Sequence, residues 1–130
     1  MGYSHYWVLN KEFDDTNWKQ FLDGAVWIVG TATDAGIAIA NDSAENAIFI
    51  NGVAEGAHET FGITKKDIGF NFCKTAEKPY DTVVTALLIL LKEILGSEVK
   101  ITSDGTWEDW QGGQLLYETV FDKQPDSVLG

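Results

Sequence analysis

Four residues in one short segment, Lys74, Thr75, Tyr80 and Asp81, offer a cation, a hydroxyl, an aromatic face and a carboxylate within reach of one another. Such a set recognises a ligand more readily than it transforms one. With His5, Trp7, His58, Glu59 and Asp104 it makes the candidate binding set for a small polar or aromatic molecule, nucleotide-like in chemistry, held between the strand of His5 and the turn Lys74 to Asp81. A plainer reading covers the same residues: Lys74 pairs with Asp81 or Asp104 to close the turn, Thr75 bonds backbone, and Tyr80 packs. Asp104 lies in Ser-Asp-Gly, which is first of all a turn signal.

Catalysis offers an alternative. Cys73 could act as a nucleophile with His58 as its base, or His58 and Glu59 could form a base pair for a small hydrolase. Against this, a lone cysteine at a strand end is usually a small buried residue. His5, His58 and Cys73 are the only soft or borderline metal ligands, and their spacing follows no metal-binding pattern. Neither a metal nor a cofactor is expected.

Charge narrows the partners. The 130 residues carry 20 Asp and Glu against 9 basic residues, all of them Lys, for a formal charge of -11. That surplus repels phosphate backbones, so direct nucleic-acid binding is not expected. The absence of Arg removes the side chain best suited to forked contacts with phosphate or carboxylate. An acidic chain suits a second class of function, an interaction protein presenting carboxylates to a basic protein surface, such as a phage-encoded inhibitor of a host defence or nucleic-acid-handling complex. A single cysteine and an N-terminus, MGYSHYW, without a basic start and apolar run point to a cytoplasmic protein. The apolar run Val83 to Leu91 is far shorter than the roughly 20 residues of a bilayer span, so no membrane partner is expected.

These side chains must be positioned by a single α+β domain over 1–130, with a mixed or antiparallel sheet packed on a buried central helix and two further helices. Residues 3–9 alternate with Tyr3, His5, Trp7 and Leu9 on one face, as in a strand. Asp14, Asp15 and Thr16 offer cap chemistry to a helix over 16–32, whose spacing leaves Trp27 off the inner face. Exposed Trp27 or Trp107 would suit a partner subunit, which keeps a homodimer open. GIAIA and AIFING flank a polar turn and predict a hairpin, while 56–67 reads as loop with room for a short strand. Alternation over 68–73 predicts a strand with Ile68, Phe70 and Phe72 in the core. Pro79 suits the first turn of a helix that is apolar nearly all round from Val83 to Leu95 and ends at Gly96. VKITS predicts a last strand, Thr106 and Asp109 a capped final helix bent or broken at Gly112 and Gly113, and 123–130 a loose tail.

The segments Gly2 to Trp7, His58 to Phe61, Phe72 to Asp81 and Ser103 to Gly105 resemble the GY-x-HYW, HETF, FCKTA-x-KPYD and SDG words of a family of small bacterial and phage-associated proteins. The resemblance implies only that His5, His58, Glu59, Cys73, Lys74, Thr75, Tyr80, Asp81 and Asp104 belong to the family's recognisable words, which favours a shared pocket. It implies no particular activity. Glu77 stands where the family pattern has a basic residue, which makes the turn less suited to anions.

Overall fold

In the computed structural model, which describes residues 2–130, the chain runs through β1 (Ser4–Leu9), α1 (Asp15–Asp34), β2 (Ala40–Asn41), β3 (Ala47–Asn51), β4 (Phe61–Thr64), β5 (Gly69–Lys74), α2 (Asp81–Leu95), β6 (Val99–Ser103) and α3 (Gln111–Phe121). The class is α+β. One antiparallel sheet has the order β5-β1-β6 and the other β2-β3-β4. Among the described residues no helix is long and apolar enough to cross a membrane.

The alternation in β1 sends His5, Trp7 and Leu9 inward, where all three are buried. Opposite them on the inner side stand Cys73 and Asn71 of β5 and Ser103, Ile101 and Val99 of β6. This face rests on α2, whose residues from Val83 to Leu91 are buried without exception, as an all-round apolar helix requires. α1 starts where expected: the Asp14 carboxylate accepts from the Asn17 N–H at 2.7 Å. Its buried face, including Trp18, Phe21, Ala25 and Ile28, packs on α2, and Trp27 is exposed.

Several expectations need correction. Ile68, Phe70 and Phe72 are not core residues; they are 61, 64 and 56 % exposed. A period of two separates the faces of a strand without saying which is inside. Here Trp7 and His5 fill the inner volume, so β5 places Asn71 and Cys73 on that side and turns its phenyl rings out. α2 begins one residue after Tyr80, leaving Pro79 ahead of the helix, not in its first turn. The first arm of the hairpin is only Ala40–Asn41.

Gly112 and Gly113 begin α3 and do not break it. A Cβ on Gly113 would lie 1.9 Å from Thr85 Oγ1, so the glycine lets α3 approach α2. Thr106 and Asp109 cap each other reciprocally, at the start of a short 3-10 turn (Glu108–Trp110) that leads into α3. The segment 123–130 is not a loose tail: Pro125 and Val128 are buried, and Leu129 bridges to Ile101 beside β6.

Candidate functional site

Four chain segments meet at His5. Its ring is wholly buried, with Nδ1 2.8 Å from Ser103 Oγ and Nε2 2.6 Å from Asp81 Oδ1. Ser103 Oγ also accepts from the Gly105 N–H at 2.9 Å and from Trp110 Nε1 at 3.2 Å. The Asp81 carboxylate accepts from Nε2. Thr75 Oγ1 donates to the same carboxylate oxygen at 2.6 Å. The edges of Tyr3 and Trp110 close the ring on either side, with centroids 5.1 and 5.0 Å away.

Each segment has a local reason to be there. Asp81 opens α2, where its charge complements the helix dipole. Thr75 leaves β5 with its N–H bonded to Tyr3 O at 3.1 Å, and Ala76 bonds the same oxygen at 3.2 Å. Holding both amides on one carbonyl accompanies an unusual backbone: Ala76 and Glu77 have φ of 53° and 57°, the left-handed region, at a cost of about 1 kcal/mol each for residues that are not glycine. Burial, then the charges of Asp81, Asp109 and Glu77, push the Tyr3 hydroxyl up to about 12, partly offset by a hydrogen bond with Ser103. This end of the molecule is rimmed with carboxylates.

Ser103, His5 and Asp81 stand in the order of a hydrolytic relay, yet the geometry suits a clamp. Ser103 Oγ already holds two donors, and His5 has no access to solvent. The arrangement can hold β1, β6, α2 and the start of α3 in register. It offers no free nucleophile.

A second knot lies on the other side of β5. Tyr80 Oη donates to Glu59 O at 2.5 Å, and the Cys73 thiol reaches the same oxygen at 3.5 Å. The Lys74 N–H donates to Glu59 Oε1 at 2.8 Å while the Glu59 N–H donates to Lys74 O at 3.2 Å. Burial, reinforced by Glu59, pushes the Cys73 thiol up to about 12 and leaves it protonated at neutral pH. Tyr80 is pushed up as well, first by burial and then by Cys73. His58 sits on an exposed loop, its backbone N–H and C=O bonded to the Asn51 side chain at 3.0 Å each, and its ring makes no hydrogen bond among the described residues. The nucleophile-and-base pairing of Cys73 with His58 is absent among the described residues.

The candidate residues thus divide. His5, Thr75 and Asp81 join in the clamp; Glu59, Tyr80 and the Lys74 backbone join in the second knot. Trp7 belongs to the core against Phe61, its Nε1 buried without a partner among the described residues. Asp104 lies on the outer side of the sheet, accepting from the Ser4 N–H at 2.9 Å and from Tyr6 Oη at 3.1 Å. The Lys74 ammonium pairs with neither Asp81 nor Asp104. Among the described residues no group of His, Cys, Asp and Glu could hold a metal ion.

Ser103, Trp110 and Tyr3 escaped the sequence reading, as did the outward rings of β5. Ser103 was visible only as part of a turn word, and Trp110 only as an apolar helix residue. On the outer face Tyr6 stacks on Phe70 with centroids 6.1 Å apart, and Phe70 lies 6.1 Å from Phe72. These three rings form an apolar row on the outer face. Comparison with protein-family models, with curated proteins and with solved structures finds no match to this chain.

Proposed function

We propose that this chain is a non-catalytic interaction protein that works through the outer face of its β5-β1-β6 sheet. The observation that carries the reading is the exposure of Phe70 and Phe72, at 64 and 56 %, beside stacked Tyr6. An apolar surface of this kind is unfavourable in water unless something covers it. A flat sheet face suits a macromolecule better than a small molecule, which binds in a concavity. Outside this face the charge of -11 favours cationic proteins for any further contact. Kinship with small phage-associated proteins fits such a role and belongs to the same proposal.

The test is affinity capture from cell extract with the wild type and with a Phe70→Ser/Phe72→Ser variant, whose fold is checked by circular dichroism. Partners held by the wild type are expected to be lost by the variant. Equal recovery by the two proteins would overturn the reading.

A hollow of about 560 Å³ favours a second reading, a binder of a small polar ligand. It is lined by Glu12, Phe13, Asn46, Thr64 and Lys66 and by the ion pair of Asp15 with Lys65, whose ammonium holds the Asp15 carboxyl below its usual range. The volume is in the range of ligand sites, and charges of both signs suit a zwitterion. This hollow shares no residue with the candidate set of Lys74 and Asp81. A thermal-shift screen of amino acids and other zwitterions should raise the melting temperature in the wild type and not in Lys66→Ala; an unmoved wild type rejects it.

A further inference from the structure

The register of the first sheet sets out its outer face as a grid. Phe72, Tyr6 and Thr102 stand level across β5, β1 and β6. On one side of that row lie Phe70, Val8 and Lys100. On the other lie Lys74 and Ser4, with Asp104 beside Ser4 through the bond from the Asp104 N–H to Ser4 O. We propose that a second copy of this chain covers this face, the two sheets packing face to face about a two-fold axis along the row of Phe72, Tyr6 and Thr102. The proposal rests on the reading of this face as a contact surface and names its occupant.

The grid is complementary to itself under that rotation. The columns stay in place and the two outer rows exchange. Lys100 of β6 comes to lie opposite Asp104 of the second copy, and Asp104 opposite the second Lys100, giving two symmetric ion pairs. Lys74 comes to lie over the ring of the second Phe70, where an ammonium is attracted to the aromatic face. Val8 comes to lie over the row that holds the buried Ser4, while Phe72 meets Phe72 and Tyr6 meets Tyr6. The alternative axis, along the strands, would also give an ammonium–ring contact (Lys100 over Phe70) and an ion pair (Lys74 with Asp104), but it would set Phe72 over Thr102 and so lose the pairing of Phe72 with Phe72.

Charge selects the same occupant. Across the grid Lys74 and Lys100 face Asp104 alone, and Asp104 already serves the Ser4 N–H and Tyr6 Oη. A basic partner would bring no carboxylate to these ammonium groups, whereas a second copy, although it repels elsewhere, brings an Asp104 to each Lys100. Two-fold pairing of one patch with itself is the commonest arrangement among soluble oligomers. Size sets its strength. Strands about 4.8 Å apart with about 3.4 Å per residue give a grid of a few hundred Å², less than the roughly 800 Å² per partner of a standard interface. The dimer is therefore reversible and depends on concentration.

Light scattering across a concentration series should show the mass rising from the 14.3 kDa of one chain toward twice that value. Added salt should favour the dimer, because it screens repulsion between two chains of charge -11. Phe72→Ser should remain a monomer, and Lys100→Glu should weaken pairing about tenfold. A Thr102→Cys variant, with its new thiol beside the axis, should be joined to its second copy by a short thiol–thiol cross-linker. The native Cys73 is buried and does not compete. A mass of one chain at every concentration overturns the proposal, as does a dimer that survives Phe72→Ser or leaves Thr102→Cys unjoined. If the chain is monomeric and Phe70→Ser/Phe72→Ser still loses its captured partners, self-pairing fails and the interaction reading stands.

Discussion

The two faces of the β5-β1-β6 sheet solve opposite problems with neighbouring residues. Inside, His5 is buried among Ser103, Asp81, Thr75, Tyr3 and Trp110, and each polar atom of its ring has a partner. Outside, one residue further along β1, Tyr6 shares its face with phenyl rings that touch little but each other. The cluster around His5 on the inner side is polar and bonded throughout, whereas the outer side leaves phenyl rings in water. Polarity alone is thus a poor guide to where a protein acts. A fully bonded polar cluster holds structure together, whereas an apolar surface left in water has capacity to spare.

Alkali tests the contrast most severely. Tyr3 and Cys73 of the inner side are each pushed up to about 12, and Tyr80 is pushed up too, chiefly because burial disfavours their charged forms. Below about pH 9 the thiol keeps its proton in both states and nothing changes. As the pH rises from there toward 12 the unfolded chain gives up its protons first, so folding loses stability progressively. Circular dichroism against pH should show cooperative unfolding in that window. A flat signal to pH 12 would mean that these groups titrate freely.

Removing the centre of the clamp comes next. His5→Ala leaves the Asp81 carboxylate facing a cavity with Ser103 and Trp110 also short of a partner, and should cost about 3 kcal/mol in urea unfolding. A loss below about 1 kcal/mol would show that water replaces the imidazole at no penalty. Thr75→Val removes one of two donors to the same oxygen and keeps the shape, so a loss of about 1 kcal/mol is expected. Smallest is the outer face. Phe70→Ser should change stability by no more than about 0.5 kcal/mol while it lowers association, and a larger drop in stability would erase the distinction between the faces.

Much of the inner side was legible from local pattern. The alternation of β1 placed His5, Trp7 and Leu9 together, and the run from Val83 announced a helix that had to be covered. Cys73 was correctly placed inside because small thiols favour interiors. The outer side was not legible, since the choice of face in β5 depends on which strand supplies the bulk opposite, and Trp7 lies far away in the chain. Ser103 and Trp110 joined the clamp for a similar reason. His5 and Ser103 are 98 positions apart, and no short word records that meeting.

The segment after α3 also bears on how these molecules can associate. Leu129 lies alongside Ile101, and the Gly130 N–H donates to Ile101 O at 3.3 Å. At the opposite margin Glu59 occupies the free N–H and C=O of Lys74. Each margin of the sheet is thereby covered at one point, which hinders neighbouring chains from adding strands side by side in the manner that leads to fibres. Contact is steered from the edge of the sheet to its flat side, where it can end at two.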